Sequence, residues 1–198
     1  MMGKIIGITG GIASGKSTVT DFLRKQGYQV VDADQVVHEL QKPGEKLFQV
    51  LLSGFGSDII QTNGFLDRKK LGQIVFADAT LLTKINQLQG EIIREELAMR
   101  CRRLVQKEEL FFMDIPLLFE QGYEDWFDEI WFIDVQEETQ IERLQQRNDL
   151  SVDEAKKRIA SQLSSQEKRQ RADMIIDNNG KIEDTLQQVA ILLNRERR

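Results

Sequence analysis

A chain of 198 residues, 40% hydrophobic and 30% charged, is long enough to bury one full core and to carry insertions on it. Its net charge of −5 argues against a bulk partnership with nucleic acid, which selects a basic face. The single cysteine, Cys101, excludes an intrachain disulfide and a cysteine-based zinc site, and no apolar stretch approaches the ~18 residues of a bilayer span.

The chain opens with one lysine and a short apolar run, Lys4 to Thr9, that leads directly into glycines, which is unlike a signal peptide. The protein therefore reads as soluble and cytoplasmic, with no membrane partner. Lys4 to Thr9 is expected to be a buried strand. It ends on Gly10-Gly11-Ile12-Ala13-Ser14-Gly15-Lys16-Ser17-Thr18, which satisfies G-x-x-x-x-G-K-[ST]. Glycines let such a loop curl so that successive N–H groups point inward, and the following helix, expected over Thr18 to Gln26, adds its N-terminal dipole. Gly11, Ala13, Ser14, Gly15, Lys16, Ser17 and Thr18 are the candidates to hold ATP, with Lys16 on the β and γ phosphates and Ser17 on Mg²⁺.

A second strand is expected over Tyr28 to Asp32, followed by Asp32-Ala33-Asp34 and a helix carrying Val36, Val37 and Leu40. Asp34 is placed to accept or orient the proton of an acceptor hydroxyl. The plainer alternative is that Asp32 ends the strand and Asp34 caps the helix. About eighty residues then separate this strand from the next, far more than the dozen or so of a minimal crossover. The insertion reads as helices over Gly44 to Ser53, Arg68 to Phe76 behind the cap Asp67, and Leu81 to Val105, with a turn at Asn63-Gly64. Gly90 is expected to break or kink the last of these.

Further strands are expected over Leu110 to Ile115, Glu129 to Val135 and Met174 to Asp177. Asp114 ends the first of them, where a carboxylate can act with Ser17 on Mg²⁺. From Arg143 to Arg171 eight basic residues face four acids. Such a run is usually a solvated helix face, but here a phosphate loop gives it a partner. Arg143 and Arg147, at i and i+4, are candidate lid arginines directed at the same phosphates. Alternating strands and helical segments imply an α/β fold: a doubly wound five-stranded parallel sheet with a helical insertion and a helical lid. Guanine-specific switches carry Asn-Lys-x-Asp, which is absent. Asp177-Asn178-Asn179-Gly180 matches Asp-x-x-Gly, but too little chain follows it for a guanine loop.

Together these residues resemble the dephospho-CoA kinase family over nearly the whole chain. The likeness rests on the loop from Ile8 to Thr18, Asp32-Ala33-Asp34 with His38, Gly64-Phe65-Leu66-Asp67-Arg68, Asp114-Ile115-Pro116-Leu117-Leu118-Phe119-Glu120, Arg143-Leu144, Arg158 with Gln162, and Ala172-Asp173 leading to Asp177-Asn178-Asn179-Gly180. It implies transfer of the ATP γ-phosphoryl group to the ribose 3′-hydroxyl of dephospho-CoA with Mg²⁺. It also implies a P-loop kinase domain in which 39–108 covers the CoA substrate and 139–171 forms the lid. Lys16, Asp34 and Arg143 would be catalytic, and Arg147 and Asn179 would help hold ATP. Thr9, Asp34, His38, Arg68, Pro116 and Leu117 would face the acceptor. The chain departs from the family in having Gly90-Glu91 where many members carry His-Pro, so that histidine's role does not transfer. A related kinase acting on a nucleoside, a nucleotide or a shikimate-like alcohol, and an ATP-binding adaptor without transfer, remain as alternatives.

Overall fold

The computed structural model describes residues 3–77 and 79–196, with side-chain environments given outside 75–84, 86 and 88. Five strands form one parallel sheet: β1 (Lys4–Gly10), β2 (Val30–Asp32), β3 (Leu110–Asp114), β4 (Glu129–Asp134) and β5 (Met174–Asp177), in the order β2-β3-β1-β4-β5. In register, Ile8 faces Asp114 of β3 and Gly10 faces Ile133 of β4. β1 is thus central, and the chain leaves its carboxyl end where the strand order reverses. That crevice is where open α/β sheets bind ligands.

The strand segments are apolar runs rather than alternating ones because they are covered on both faces. β4 is buried throughout. On one face Ile6, Ile8, Phe112, Trp131, Ile133 and Ile176 pack with Val19 and Leu23 of α1 (Lys16–Lys25) and Val189 and Leu193 of α9 (Ile182–Glu196). β2 begins two residues later than expected. The Tyr28 amide donates to Leu23 O at 3.1 Å, so it closes the end of α1 and does not join the ladder.

The structure divides into two compact units, one of residues 1–31 and 104–198, the other of Asp32–Arg103. The second holds α2 (Ala33–Leu40), α3 (Lys46–Phe55), α4 (Arg68–Ala77) and α5 (Ala79–Val105), the last running on into the first unit. Asp67 Oδ1 accepts the Lys70 amide at 2.9 Å, as its cap position requires. The Asn63-Gly64 turn is present: Gly64 has φ +83, and Gln61 N donates to Phe65 O at 2.8 Å. The expected interruption at Gly90 is absent. α5 continues through it, because one exposed glycine costs ~1 kcal/mol, which a 27-residue helix absorbs.

In the first unit β4 is followed by α6 (Glu137–Asn148), α7 (Val152–Ala160) and α8 (Ser165–Arg171). The last two each start with a reciprocal capping box, Ser151 with Glu154 and Ser164 with Glu167. The Ser-x-x-Glu spacing satisfies two otherwise unpaired amides at each helix start. Among the described residues, no helix is long and apolar enough to cross a membrane.

Candidate functional site

The loop from Gly10 to Lys16 joins β1 to α1. Ala13 and Gly15 both have positive φ, at 60 and 82. Gly15 is required twice over, since a Cβ there would also collide with the Asn178 side-chain amide. The Ser14 amide turns back to Gly11 O and the Thr18 amide to Gly15 O, both at 3.0 Å. Among the described residues the amides of Ala13, Gly15, Lys16 and Ser17 have no acceptor, which makes a concave row of donors at a helix N-terminus. Ser14 Oγ is buried and also without a hydrogen-bond partner.

Lys16 forms an ion pair with Asp114, which is 4% exposed at the carboxyl end of β3. The sequence placed these residues at one site, and the parallel register of β1 and β3 brings them together. Ser17 is exposed at the start of α1, and its hydroxyl makes no hydrogen bond among the described residues. Thr9 is fully buried and donates to Pro116 O at 3.2 Å, so it ties the strand to the segment carrying Pro116 and Leu117, both half-buried.

The backbone of the loop is held from outside by four side chains, of which sequence reasoning assigns a site role to Arg143 alone. Gln140 Nε2 donates to Ile12 O at 2.7 Å, Arg143 Nη1 to Ala13 O at 3.1 Å, and Asn178 Nδ2 to Ser14 O at 2.6 Å. Gln162 Oε1 accepts the Ile12 amide at 2.9 Å. Arg143 also donates to Asn178 O at 2.9 Å, whereas Arg147, one turn on, is exposed and bonds Asn148. The two arginines therefore do not converge as their spacing suggested. Asn179 bonds Asp177 and the Gln136 amide, at 2.5 and 2.7 Å, and it is the neighbouring Asn178 that reaches the loop. A sequence signal for Gln140 existed: it precedes Arg143 by three and so shares its helix face.

A cleft of about 660 Å³ adjoins Gly11, lined among others by Gln140, Lys156, Gln162 and Arg169. Arg169 pairs with Asp134, buried at the end of β4. The segment 162–168 is anchored through Glu120, whose Oε1 accepts the Leu163 amide at 3.1 Å and lies 2.8 Å from Nζ of the fully buried Lys168.

In the second unit, Asp32 rather than Asp34 caps α2, accepting the Gln35 amide at 3.0 Å. Asp34 lies in the first turn, exposed and with neither ion pair nor side-chain hydrogen bond among the described residues, and His38 is exposed one turn later on the same face. Glu39 pairs with Arg100 at 2.6 Å. Its carboxyl is held below the usual range by the Arg100 hydrogen bond, against the opposing effect of burial. Arg68 is exposed at the start of α4.

A parallel sheet of this order, with a donor-lined glycine loop leaving its central strand and a lysine–aspartate pair beside it, defines a P-loop kinase. The pattern of the dephospho-CoA kinase family matches residues 4–184. A dephospho-CoA kinase of Streptococcus pneumoniae is 57% identical over 192 residues, 97% of this chain and 96% of that one. Among solved structures, a Thermus thermophilus protein superposes with a TM-score of 0.82 at 33% identity, covering 98% of both chains. A dephospho-CoA kinase from Campylobacter jejuni gives 0.76 at 28%, covering 98% of this chain and 96% of its own. The chain belongs to the dephospho-CoA kinase family.

Proposed function

We propose that the protein transfers the γ-phosphoryl group of ATP to the ribose 3′-hydroxyl of dephospho-CoA, releasing ADP and CoA. The observation that carries this reading is the row of unpaired amides at Ala13, Gly15, Lys16 and Ser17 with Lys16 beside it, in a chain of this family. Those amides and the Lys16 ammonium are suited to the phosphate oxygens of ATP, whose charge grows and spreads as the terminal P–O bond breaks. On binding, Lys16 would exchange Asp114 for phosphate.

The residues present suit Mg²⁺ as a phosphate-bound ion. No group of three or more His, Cys, Asp or Glu side chains among the described residues could hold a metal by itself. Mg²⁺ typically keeps its waters and uses one or two protein oxygens together with phosphates, and the Ser17 hydroxyl and Asp114 carboxylate offer those oxygens. Bound there, it would neutralise charge on the β and γ oxygens.

Asp34 is the group assigned to the acceptor hydroxyl proton. In support, its carboxylate is exposed and is not used as a helix cap. In this reading the protein acts in the cytoplasm on small-molecule substrates, and the net charge of −5 accords with the exclusion of nucleic acid as a partner.

A coupled assay of ADP release should show turnover on dephospho-CoA well above the ATPase background, and none above it on shikimate or a nucleoside monophosphate. Turnover on either of those with none on dephospho-CoA would reject the acceptor. Asp34→Asn should lower kcat by on the order of 10²-fold or more with MgADP affinity retained. Near-normal turnover would remove Asp34 from its role.

A further inference from the structure

We infer that Gln140, Arg143 and Asn178 form a carbonyl clamp that presets the phosphate loop before nucleotide arrives. Gln140 and Asn178 are positioning residues acting through the backbone, and Arg143 shares that task. The inference rests on the reading of this loop as the phosphate site and adds how the loop is kept ready.

Ile12, Ala13 and Ser14 are consecutive, and each carbonyl accepts from a different side chain: Gln140 Nε2, Arg143 Nη1 and Asn178 Nδ2. A peptide plane is rigid, so fixing the direction of a carbonyl fixes the following N–H in the opposite direction. Capture of Ile12 O therefore sets the Ala13 amide, and capture of Ser14 O sets the Gly15 amide. Both belong to the unpaired donors that line the loop. The Ala13 carbonyl sets the Ser14 amide, whose bond to Gly11 O forms the turn itself.

The clamp is itself firmly held. Gln140 and Asn178 are each 4% exposed. Asn178 Oδ1 accepts from the fully buried Thr185 hydroxyl at 2.9 Å, which fixes the orientation of the amide and points Nδ2 at the loop. Arg143 links the two sides by donating to both Ala13 O and Asn178 O. Gln140 and Arg143 come from α6, whereas Asn178 follows β5. The clamp thus joins two segments that are remote in sequence across the back of one loop.

A free glycine-rich loop would have to order when it binds phosphate, and that entropy would weaken binding. A loop already held in its nest conformation avoids that loss. The clamp should therefore affect phosphate binding more than it affects global stability.

The test is titration calorimetry with MgADP and no acceptor, so that its outcome is independent of which alcohol the enzyme phosphorylates. Gln140→Met and Asn178→Ala should each weaken MgADP by about 5- to 10-fold, as expected for loss of one orienting hydrogen bond. The double variant should weaken it by less than the product of the two, because one release already frees the loop. Val189→Ala, in the core away from the loop, provides the stability control: it should lower Tm with MgADP affinity unchanged. Hydrogen exchange of the nucleotide-free protein gives a second readout. The peptide spanning Ile12 to Gly15 should exchange faster in both clamp variants and not in Val189→Ala. Unchanged affinity and unchanged loop exchange in the clamp variants, with Tm lowered as in the control, would overturn the inference by showing that these residues only support the fold.

Discussion

Lys168 shows how much one buried charge can decide. It is 1% exposed, and its ammonium faces Glu120, which also receives the Leu163 amide. Removing the lysine leaves a carboxylate in a largely dry setting, and breaking such a pair is costly. Lys168→Met should lower stability by on the order of 3 kcal/mol in urea titration. Adding Glu120→Gln should recover part of this, because the amide oxygen still accepts from Leu163 and carries no charge. A double variant as unstable as the single one would show that packing, rather than the stranded charge, sets the loss. The sequence disclosed Lys16, Ser17 and Asp114 because a local pattern or a strand end marks them. Lys168, Asn178 and Gln140 were not legible in this way. Their roles come from partners dozens of residues or more away, and apart from the spacing that puts Gln140 on the helix face of Arg143, nothing in their immediate neighbours distinguishes them from surface polar residues.

At the level of elements, strands and helices were legible within a few residues wherever apolar spacing or a cap set the boundary. Asp67, expected as a cap, makes its hydrogen bond to the Lys70 amide, whereas the starts of α7 and α8 are not among the expected elements, although their Ser-x-x-Glu boxes carry an equally local signal. Misreadings arose where one residue had two competing uses. Tyr28 has strand character, yet its amide terminates α1. Asp32 and Asp34 both suit a helix start, and the first takes the cap. Gly90 carries a known penalty, yet too many neighbouring helical residues surround it for one glycine to end α5. A Cβ at Gly90 would meet nothing within 4 Å. Gly90→Ala should therefore stabilise the protein by up to ~1 kcal/mol, seen as a higher urea midpoint at unchanged m value. A loss of stability instead would mean that the position needs glycine for a reason other than space.

Across the whole molecule, a charged cluster ties the first strand to the last helix. Lys4 lies 3.1 Å from Glu129 and 2.5 Å from Glu196, Arg195 pairs with Glu129, and Trp131 Nε1 donates to Glu129 Oε1 at 2.8 Å. Burial pushes the Glu129 carboxyl up, but the hydrogen bonds from Trp131 and Lys4 and the charges of Lys4 and Arg195 outweigh it and leave it below its ordinary value. A depressed carboxyl stabilises the fold fully above its unfolded value of about 4.3, and that contribution is lost as pH falls through the folded value. Urea midpoints measured from pH 6 down to pH 3 should therefore fall less steeply in Glu129→Gln than in the parent. Equal slopes would assign the acid sensitivity to other carboxylates.

The central position of β1 also has a consequence during synthesis. Lys4 and its partner Glu129 are 125 residues apart, and the β3 partner Leu110 is scarcely nearer in the chain. At about 5–20 residues per second, the ribosome leaves β1 without a neighbouring strand for on the order of 5–25 s after it is made. The segment Asp32–Arg103, compact by itself, is complete before either neighbour of β1 exists. Nascent chains should thus expose an apolar, unpaired first strand until β3 and β4 emerge, which makes this N-terminal strand the natural point of chaperone contact.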